Sequence, residues 1–263
     1  MPDASTVGVT TRLRIACAIL LLLMAGRVSA TKAVRATPHL TLDGVGSNTV
    51  CQATNCESQL LTTTQGQDVV LLLAECGYSN CPVAITSIMD SSGLTFTQRV
   101  SFSPMDKLWE YYARATLPLR SENITVVFSC ISYCFGLHGI QVLAIKGANT
   151  RGIFDLNPSM PATALCPDEP CSVSALTSTV DFVVAITAIN DSGPCGGLPG
   201  SSDYLGGVPG FTTITTAPGY ASNFEVDYAI TTTPLSNVVF NCKGTSAMAI
   251  VIDGISFRGA FGN

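Results

Sequence analysis

Short apolar segments separated by turn residues recur along most of this chain, and they limit the folds that it can adopt. Segments of this kind, rich in Val, Ile, Thr and Phe, are typical of β-strands. Between them we find no convincing amphipathic helix. The expected strands cover residues 68–75, 83–89, 94–102, 108–113, 123–129, 139–145, 172–179, 181–189, 211–216, 224–232, 238–242 and 247–257. The pattern predicts an all-β, antiparallel β-sandwich of about 12 strands.

A weak internal repeat divides these strands into two groups. A Leu-Thr-Thr-Thr segment at residues 61–64 precedes the strand that begins at Asp68, and Leu-Thr-Ser-Thr at 176–179 precedes the strand at Asp181. Each group closes on an apolar strand that ends in glycine. The chain therefore has two pseudo-equivalent halves.

The two halves, about residues 59–150 and 172–260, either form two small sandwiches in tandem or share one large jelly roll. Each half offers only about five or six strands, and jelly rolls combine two Greek keys. We therefore predict one jelly-roll β-sandwich over residues 59–260. Residues 31–58 form an N-terminal segment before it.

The first 30 residues have the pattern of a secretory signal peptide. Arg12 and Arg14 precede an apolar stretch at 15–26, and small residues follow up to Ala30. An apolar stretch of about 12 residues is shorter than the roughly 20 needed to cross a bilayer as a helix. We expect cleavage after Ala30, no transmembrane segment in the remaining chain, and a secreted, extracellular protein.

Cysteine spacing points to the same oxidising compartment. Of eleven cysteines, Cys17 lies in the predicted signal peptide, which leaves an even number. Connectivity cannot be deduced from sequence alone. Turn residues between near neighbours favour local disulfides for three pairs, a fourth has a less obvious turn, and the last would close a long loop by elimination: Cys51 with Cys56, Cys76 with Cys81, Cys166 with Cys171, then Cys130 with Cys134, and Cys195 with Cys242.

Several classes of function are disfavoured. The net charge is −5 and charged residues make up only 12% of the chain, so there is no basic patch for nucleic acid or for an anionic membrane surface. The cysteine spacings differ from those of zinc sites, and His39 and His138 are the two histidines. We expect no metal and no cofactor.

Catalytic residues are not evident. Neither histidine accompanies a G-x-S-x-G motif, so we expect structural roles for both. Glu75, Glu110 and Glu225 lie in predicted strands, where paired carboxylates could serve a glycosidase. We expect each of them on a solvated sheet face, and we predict that the protein is not an enzyme.

Two N-glycosylation sequons stand outside the signal peptide. They begin at Asn123 and at Asn190. Asn190 lies in a predicted loop and Asn123 begins a strand. Both are expected to be glycosylation sites.

Several motifs resemble those of secreted prokaryotic jelly-roll modules of the concanavalin A-like type. They are a hairpin at residues 85–98 (I-T-S-I-M-D-S-S-G-L-T-F-T-Q), and strands at 108–113 (L-W-E-Y-Y-A), 124–129 (I-T-V-V-F-S), 142–147 (V-L-A-I-K-G) and 181–185 (D-F-V-V-A). Leu94 stands where these modules usually have Asn. The resemblance implies a jelly roll on a cell-surface, adhesion or filament protein.

Function is accordingly expected to be structural. We predict an extracellular structural or adhesion protein whose partners are copies of itself or other cell-surface proteins. Residues 33–50 could add a strand to a neighbour's sheet, as in pilus-like filaments, although we favour a first strand of the chain's own sandwich. The alternative is a lectin-like module that binds glycans through Trp109, Tyr111, Tyr112 and the Gly-rich loop at 193–210, but we expect Trp109 in the core.

Overall fold

The strands of the first half begin soon after the N-terminal segment. The structure is a computed structural model, and it describes residues 39–51, 55–77, 84–102, 107–129, 138–166, 171–189, 204–205, 210–218, 223–242 and 247–259. The first-half strands are β1 (Thr41–Val45), β2 (Ser47–Thr49), β3 (Cys56–Leu61), β4 (Asp68–Cys76), β5 (Ile85–Asp90), β6 (Thr97–Phe102), β7 (Lys107–Ala115), β8 (Glu122–Phe128) and β9 (His138–Lys146).

A second set of strands follows in the other half. It comprises β10 (Ala162–Leu165), β11 (Cys171–Ala175), β12 (Asp181–Ile189), β13 (Tyr204–Leu205), β14 (Thr212–Pro218), β15 (Asn223–Ile230), β16 (Val238–Cys242) and β17 (Ala247–Ser256). Every strand expected from the sequence is matched by one of these. The structure adds β1, β2, β3, β10 and β13, so the strands outnumber the 12 expected. All paired strands are antiparallel.

Four sheets contain these strands, two from each half. Sheet I has the order β1-β9-β4-β7-β6, and sheet II has β2-β3-β8-β5. Sheet III has the order β10-β17-β12-β15-β14, and sheet IV has β11-β16-β13. Sheets I and III repeat the same order, and so do sheets II and IV except for β2. The internal repeat seen in the sequence is therefore a repeat of sheet topology.

Matching hydrogen bonds support this repeat at the level of single residues. The Thr63 amide donates to the carbonyl of Leu119, whose own amide donates to the Thr63 hydroxyl. In the second half, the Thr177 amide donates to the carbonyl of Leu235, whose amide donates to the Thr177 hydroxyl. Each threonine thus joins the strand entering one sheet to the connection that precedes β8 or β16.

Three hydrophobic cores separate the four sheets. One lies between sheets I and II and includes Leu61 and Phe128, and another lies between sheets III and IV and includes Val173 and Phe240. The third, which we call the central core, joins sheet I to sheet III and includes Phe182. The chain is therefore layered in the order II, I, III, IV.

This layering corrects the prediction of one sandwich shared by both halves. Each half forms its own pair of sheets, and the halves pack through sheets I and III. The physical reason lies in β4 and β12, which are apolar on both faces and are fully buried along the residues described. A continuous apolar strand needs cover on both sides, which a two-layer sandwich does not give. Residues Pro38–Asn263 form one compact unit.

The predicted hairpin at residues 85–98 is also wrong. β5 pairs with β8 in sheet II, whereas β6 pairs with β7 in sheet I. Residues 91–96 form the connection between the two sheets instead of a tight hairpin turn. Gly93 adopts a φ of 85° in this connection, which favours glycine.

Disulfides close two of the expected local loops. Cys51 is bonded to Cys56 and Cys166 to Cys171, with Cα–Cα distances of 5.9 and 5.3 Å, in the usual range. Cys242 is also disulfide-bonded. The other expected pairings involve Cys81, Cys130, Cys134 and Cys195, which lie outside the described residues.

Candidate functional site

The connection from β5 to β6 leaves one side of the first sandwich open. β5 is an edge strand of sheet II and β6 is an edge strand of sheet I. The connection between them places both edges on the same side of the sandwich. A groove of about 390 Å³ lies between them. We call it the edge groove, and its lining residues are Ile85, Thr86, Ser87, Ile88, Leu94, Thr95, Phe96 and Tyr111.

Apolar and hydroxyl-bearing side chains alternate in the edge groove. Ile88, Phe96 and Tyr111 are half-buried and pack against the core between sheets I and II. Thr86 and Thr95 are exposed at its rim. The Tyr111 hydroxyl donates to Gln98 at 2.9 Å, which fixes the ring. The groove thus combines an apolar floor with hydroxyl groups that can hydrogen-bond a ligand.

A second open groove of about 450 Å³ lies on the other side of the same connection. Its lining residues are Gly93, Thr95, Thr97, Tyr112, Ala113, Arg114 and Thr116. Thr95 is therefore shared by both grooves. Tyr111 and Tyr112, which the sequence grouped in one sugar-binding face, lie in different grooves because neighbouring strand residues point to opposite sides. Trp109 is buried, as expected.

Edge strands of this protein carry β-bulges. The register shifts at Asp43 in β1, Thr86 in β5, Arg99 in β6 and Ile214 in β14. Bulges at sheet edges disturb the ladder that an added strand would need. These four edges are therefore poorly suited to backbone pairing with a partner, whereas the edge strands β2, β10, β11 and β13 pair with their neighbours in regular register.

The N-terminal segment is used within the chain. β1 pairs with β9, and Leu40 and Leu42 contribute to the central core. β1 is thus a first strand of the chain's own sheet, as expected. Residues 31–38 lie outside the part of the chain that the structure describes.

The three candidate carboxylates are not on solvated faces, which corrects that prediction. Glu75, Glu110 and Glu225 are all buried. Burial of both faces of sheets I and III leaves no solvated position for Glu75 or Glu110. Glu225 lies between sheets III and IV. Glu75 and Glu110 belong to neighbouring strands of sheet I and face the central core, whereas Glu225 lies in another layer and does not pair with either of them.

An ion pair missed by the sequence reasoning joins the two halves. Arg99 Nε donates to Asp253 Oδ2 at 2.7 Å, and Nη2 donates to Oδ1 at 3.4 Å. The guanidinium also lies over the Phe154 ring, 4.2 Å from its centre. The bulge in β6 turns both Arg99 and the next residue, Val100, toward the central core. No local sequence signal reveals such a bulge.

Glu110 lies beside this ion pair. Burial raises the pKa of Glu110 well above its ordinary value, the Asp253 carboxylate adds to the rise, and Arg99 opposes it. Burial likewise raises the pKa of Asp253, against the hydrogen bond and charge of Arg99. Two carboxyl groups with raised pKa values and one guanidinium therefore share the central core.

The two histidines have different environments. His39 is exposed. His138 is buried, with Nδ1 2.9 Å from Glu57 Oε1 and its ring stacked on Phe128 at 4.6 Å between centres. Its contacts are those of a packed core side chain, in line with a structural role.

A pair of aspartates recurs in both halves. Asp43 accepts hydrogen bonds from the amides of Thr64 and Gln65, and its carboxylate raises the pKa of Asp68, after burial, to about 7. In the second half, Asp155 accepts hydrogen bonds from the amides of two residues, Ser178 and Thr179. After burial, Asp155 likewise raises the pKa of Asp181 to about 8. In each pair, the pKa of one carboxyl group is lowered and that of its partner is raised into the neutral range.

These pairs predict a loss of stability as the pH rises. The folded pKa values of Asp68 and Asp181 exceed the ordinary 3.8, so the folded state binds more protons than the unfolded state between those values. The free energy of unfolding should fall from about pH 4 up to pH 7 to 8. In the double variant D68N/D181N, this fall should be smaller. Urea unfolding at pH 5 and pH 9 gives the free energy of unfolding at each pH. An equal decrease between these pH values in wild type and double variant would contradict the prediction.

Several predicted sites remain partly outside the described structure. Asn123 is exposed on the outer face of sheet II, and its Oδ1 accepts a hydrogen bond from Ser58. Asn190 and most of the loop at 193–210 lie outside the described residues. In the described part, no group of three or more His, Cys, Asp or Glu is placed to hold a metal ion. The same residues contain no helix that is long and apolar enough to span a membrane.

Comparisons with known proteins leave the chain without an assigned family. No protein-family model, no curated protein and no solved structure matches it. Its function must therefore be inferred from the fold and the grooves themselves.

Proposed function

We propose that this protein is an extracellular structural or adhesion protein that contacts its partner through the edge groove. The observation that carries the proposal is the open side between β5 and β6 in a stack whose inner sheets are buried on both faces. The half-buried Ile88, Phe96 and Tyr111 offer an apolar contact there. The disulfides fit an oxidising compartment, which the predicted signal peptide also favours.

We also propose that each half is a jelly roll, whereas the resemblance to secreted prokaryotic modules implies one jelly roll over both halves. Support comes from the common order in sheets I and III and from strands that alternate between two sheets. Such a fold places short connections at the sandwich sides, where binding residues can vary without changing the core.

Self-association is the form of binding that we propose first. The partners would be other copies of the chain, as in a surface filament. Strand addition has less support than docking of side chains, because β5 carries a bulge at Thr86 and β1 is already paired within its own sheet. The edge groove accepts side chains without requiring an unbroken ladder.

Changing one rim residue should test the use of this groove. Thr95 is exposed and lines both grooves, so T95K should weaken self-association at least about tenfold by placing a charge over the apolar floor. The control is M89K, since Met89 is also exposed in β5 but does not line the groove. Sedimentation velocity across concentrations, with electron microscopy for filaments, measures the effect. A monomeric wild type, or unchanged assembly of T95K, would refute the proposal.

Carbohydrate binding is a second candidate, favoured by one observation. Tyr111 and Phe96 lie beside the hydroxyls of Thr86, Ser87 and Thr95 in the same groove. Aromatic rings that stack on a sugar, surrounded by hydrogen-bonding groups, are typical of glycan sites. If a glycan array gives binding that T95K removes and M89K keeps, and the protein stays monomeric, the lectin-like function replaces the structural one.

A further inference from the structure

Arg114 lines the second open groove, which has a volume of about 450 Å³ and which we call the Arg114 groove. The side chain of Arg114 is exposed. In the part of the chain that the structure describes, its guanidinium has neither an ion-pair nor a hydrogen-bond partner. By contrast, Arg99 on the neighbouring strand is paired with Asp253. The guanidinium of Arg114 is therefore available to an anionic group from outside the chain.

Hydroxyl-bearing side chains surround Arg114 in the same groove. They belong to Thr95, Thr97, Thr116 and Tyr112. The three threonines are exposed, and the ring of Tyr112 is half-buried against Phe154, with 5.0 Å between the ring centres. None of the four hydroxyl groups hydrogen-bonds to another residue that the structure describes. The groove thus offers a ligand one guanidinium, which only donates hydrogen bonds, and several hydroxyls, which donate or accept them.

The second half of the repeat has an apolar residue where the first half has Arg114. Arg114 is directly opposite Val69 of β4, and Ile230 is directly opposite Phe182 of β12. Val69 and Phe182 are each the second residue of their strand, so the two positions correspond. Ile230 packs against the central core. The fold therefore does not require a charge at this position, as we expect if Arg114 serves a ligand.

The side chains of the Arg114 groove match the chemistry of an acidic sugar. A guanidinium binds an anionic group such as a carboxylate through two parallel hydrogen bonds. The hydroxyls of a sugar ring can then exchange hydrogen bonds with those of Thr95, Thr97 and Thr116. The volume of the groove lies in the usual range for small ligands, about 300–1,000 Å³. A sugar that carries one anionic group therefore fits this lining.

Two other classes of anionic ligand fit this groove less well. An acidic peptide would bind best by pairing its backbone with the open sheet edge, but β6, the edge strand at the groove, has a bulge at Arg99. Nucleic acid and other long polyanions need several basic residues. The chain has a net charge of −5, and Arg114 is the one cationic residue among the described lining residues. A ligand with a single anionic group at the groove is therefore favoured.

We propose that the Arg114 groove binds an acidic sugar, with the anionic group on Arg114 and the neighbouring sugar hydroxyls on the threonines. The carboxylate of a uronic acid and the sulfate ester of a sulfated sugar present the same chemistry to the guanidinium. This site is separate from the edge groove, with which it shares Thr95. It therefore adds a ligand class to the proposed function and does not rest on it.

Isothermal titration of the full chain with short sugars tests the proposal. The probes are trimers of galacturonate, mannuronate and sulfated galactose, with neutral trimers of galactose and mannose for comparison. At least one acidic trimer should bind with a dissociation constant of about 1 mM or lower, and its neutral counterpart about tenfold more weakly or less. R114Q should weaken the binding at least about tenfold. The control R120Q changes an exposed arginine that does not line the groove, so it should leave the affinity within about twofold.

Wild-type binding alone can overturn the proposal, without reference to any variant. It does so if no acidic trimer binds, if the neutral trimers bind as tightly, or if triglutamate binds more tightly than every sugar, which would make the ligand an acidic peptide. Equal affinity in wild type and R114Q, or an equal loss in R120Q, also overturns it. A response to uronates alone or to the sulfated sugar alone supports it and identifies the anionic group. R114Q leaves the lining of the edge groove unchanged, so these results are independent of self-association.

Discussion

Replacing Arg99 by Met should lower the free energy of unfolding by about 3–5 kcal/mol, which is the usual cost of leaving one partner of a buried ion pair alone. Asp253 is fully buried, and Arg99 is the charge that compensates it. Met keeps much of the apolar packing against Phe154, so the loss of stability comes mainly from removal of the positive charge. Urea or guanidinium unfolding at pH 8 measures it.

The pH dependence of this loss follows from the same ion pair. Without Arg99, the pKa of Asp253 should rise further, because the hydrogen bond and charge that lower it are gone. Asp253 would then take up a proton at lower pH and the buried charge would disappear. R99M should therefore cost less stability at pH 5 than at pH 8. An equal cost at both values would argue against charge as the cause.

A double variant provides the matched control. Counted from the start of β4 and β12, Leu143 in the first half occupies the position of Asp253. R99M/D253L therefore replaces the ion pair by the residue type that the repeat already accepts, and it should recover most of the lost stability. If the double variant is as unstable as R99M, the side chains act through packing and not through the ion pair.

The sequence predicted the strands of this protein better than their arrangement. Apolar runs such as 68–75 and 181–189 mark strands by composition alone, and they were found as β4 and β12. The same segments also indicate burial of both strand faces, because apolar and polar residues do not alternate along them. The five or six strands in each half favour one shared two-layer sandwich, whereas the missing alternation indicates cover on both faces.

Side-chain sites were less accessible from sequence. The edge groove exists because β5 and β6 belong to different sheets, and the residues between them are equally compatible with a hairpin. Arg99 reaches Asp253, 154 positions away in sequence, only because of a bulge. Burial of Glu110 depends on the packing of one half on the other. Each of these features is set by tertiary contacts that local patterns do not encode.

Two neighbouring leucines of β4 should both be costly to truncate. Leu71 faces the central core between the halves, and Leu72 faces the core between sheets I and II. Both are fully buried. L71A and L72A should each lower the free energy of unfolding by about 2–5 kcal/mol, the range for buried leucines. The control L176A changes an exposed leucine and should have an effect within about 0.5 kcal/mol.

This pair distinguishes the four-layer stack from a two-layer sandwich. In a two-layer sandwich, consecutive strand residues alternate between core and solvent, so only one of the two truncations would be costly. Denaturant unfolding of the variants, compared with wild type under the same conditions, gives both values. A large cost for L72A together with a negligible cost for L71A would mean that sheets I and III do not pack together in solution. Comparable costs would place Leu71 in a core that exists only because the two halves of the repeat bury each other.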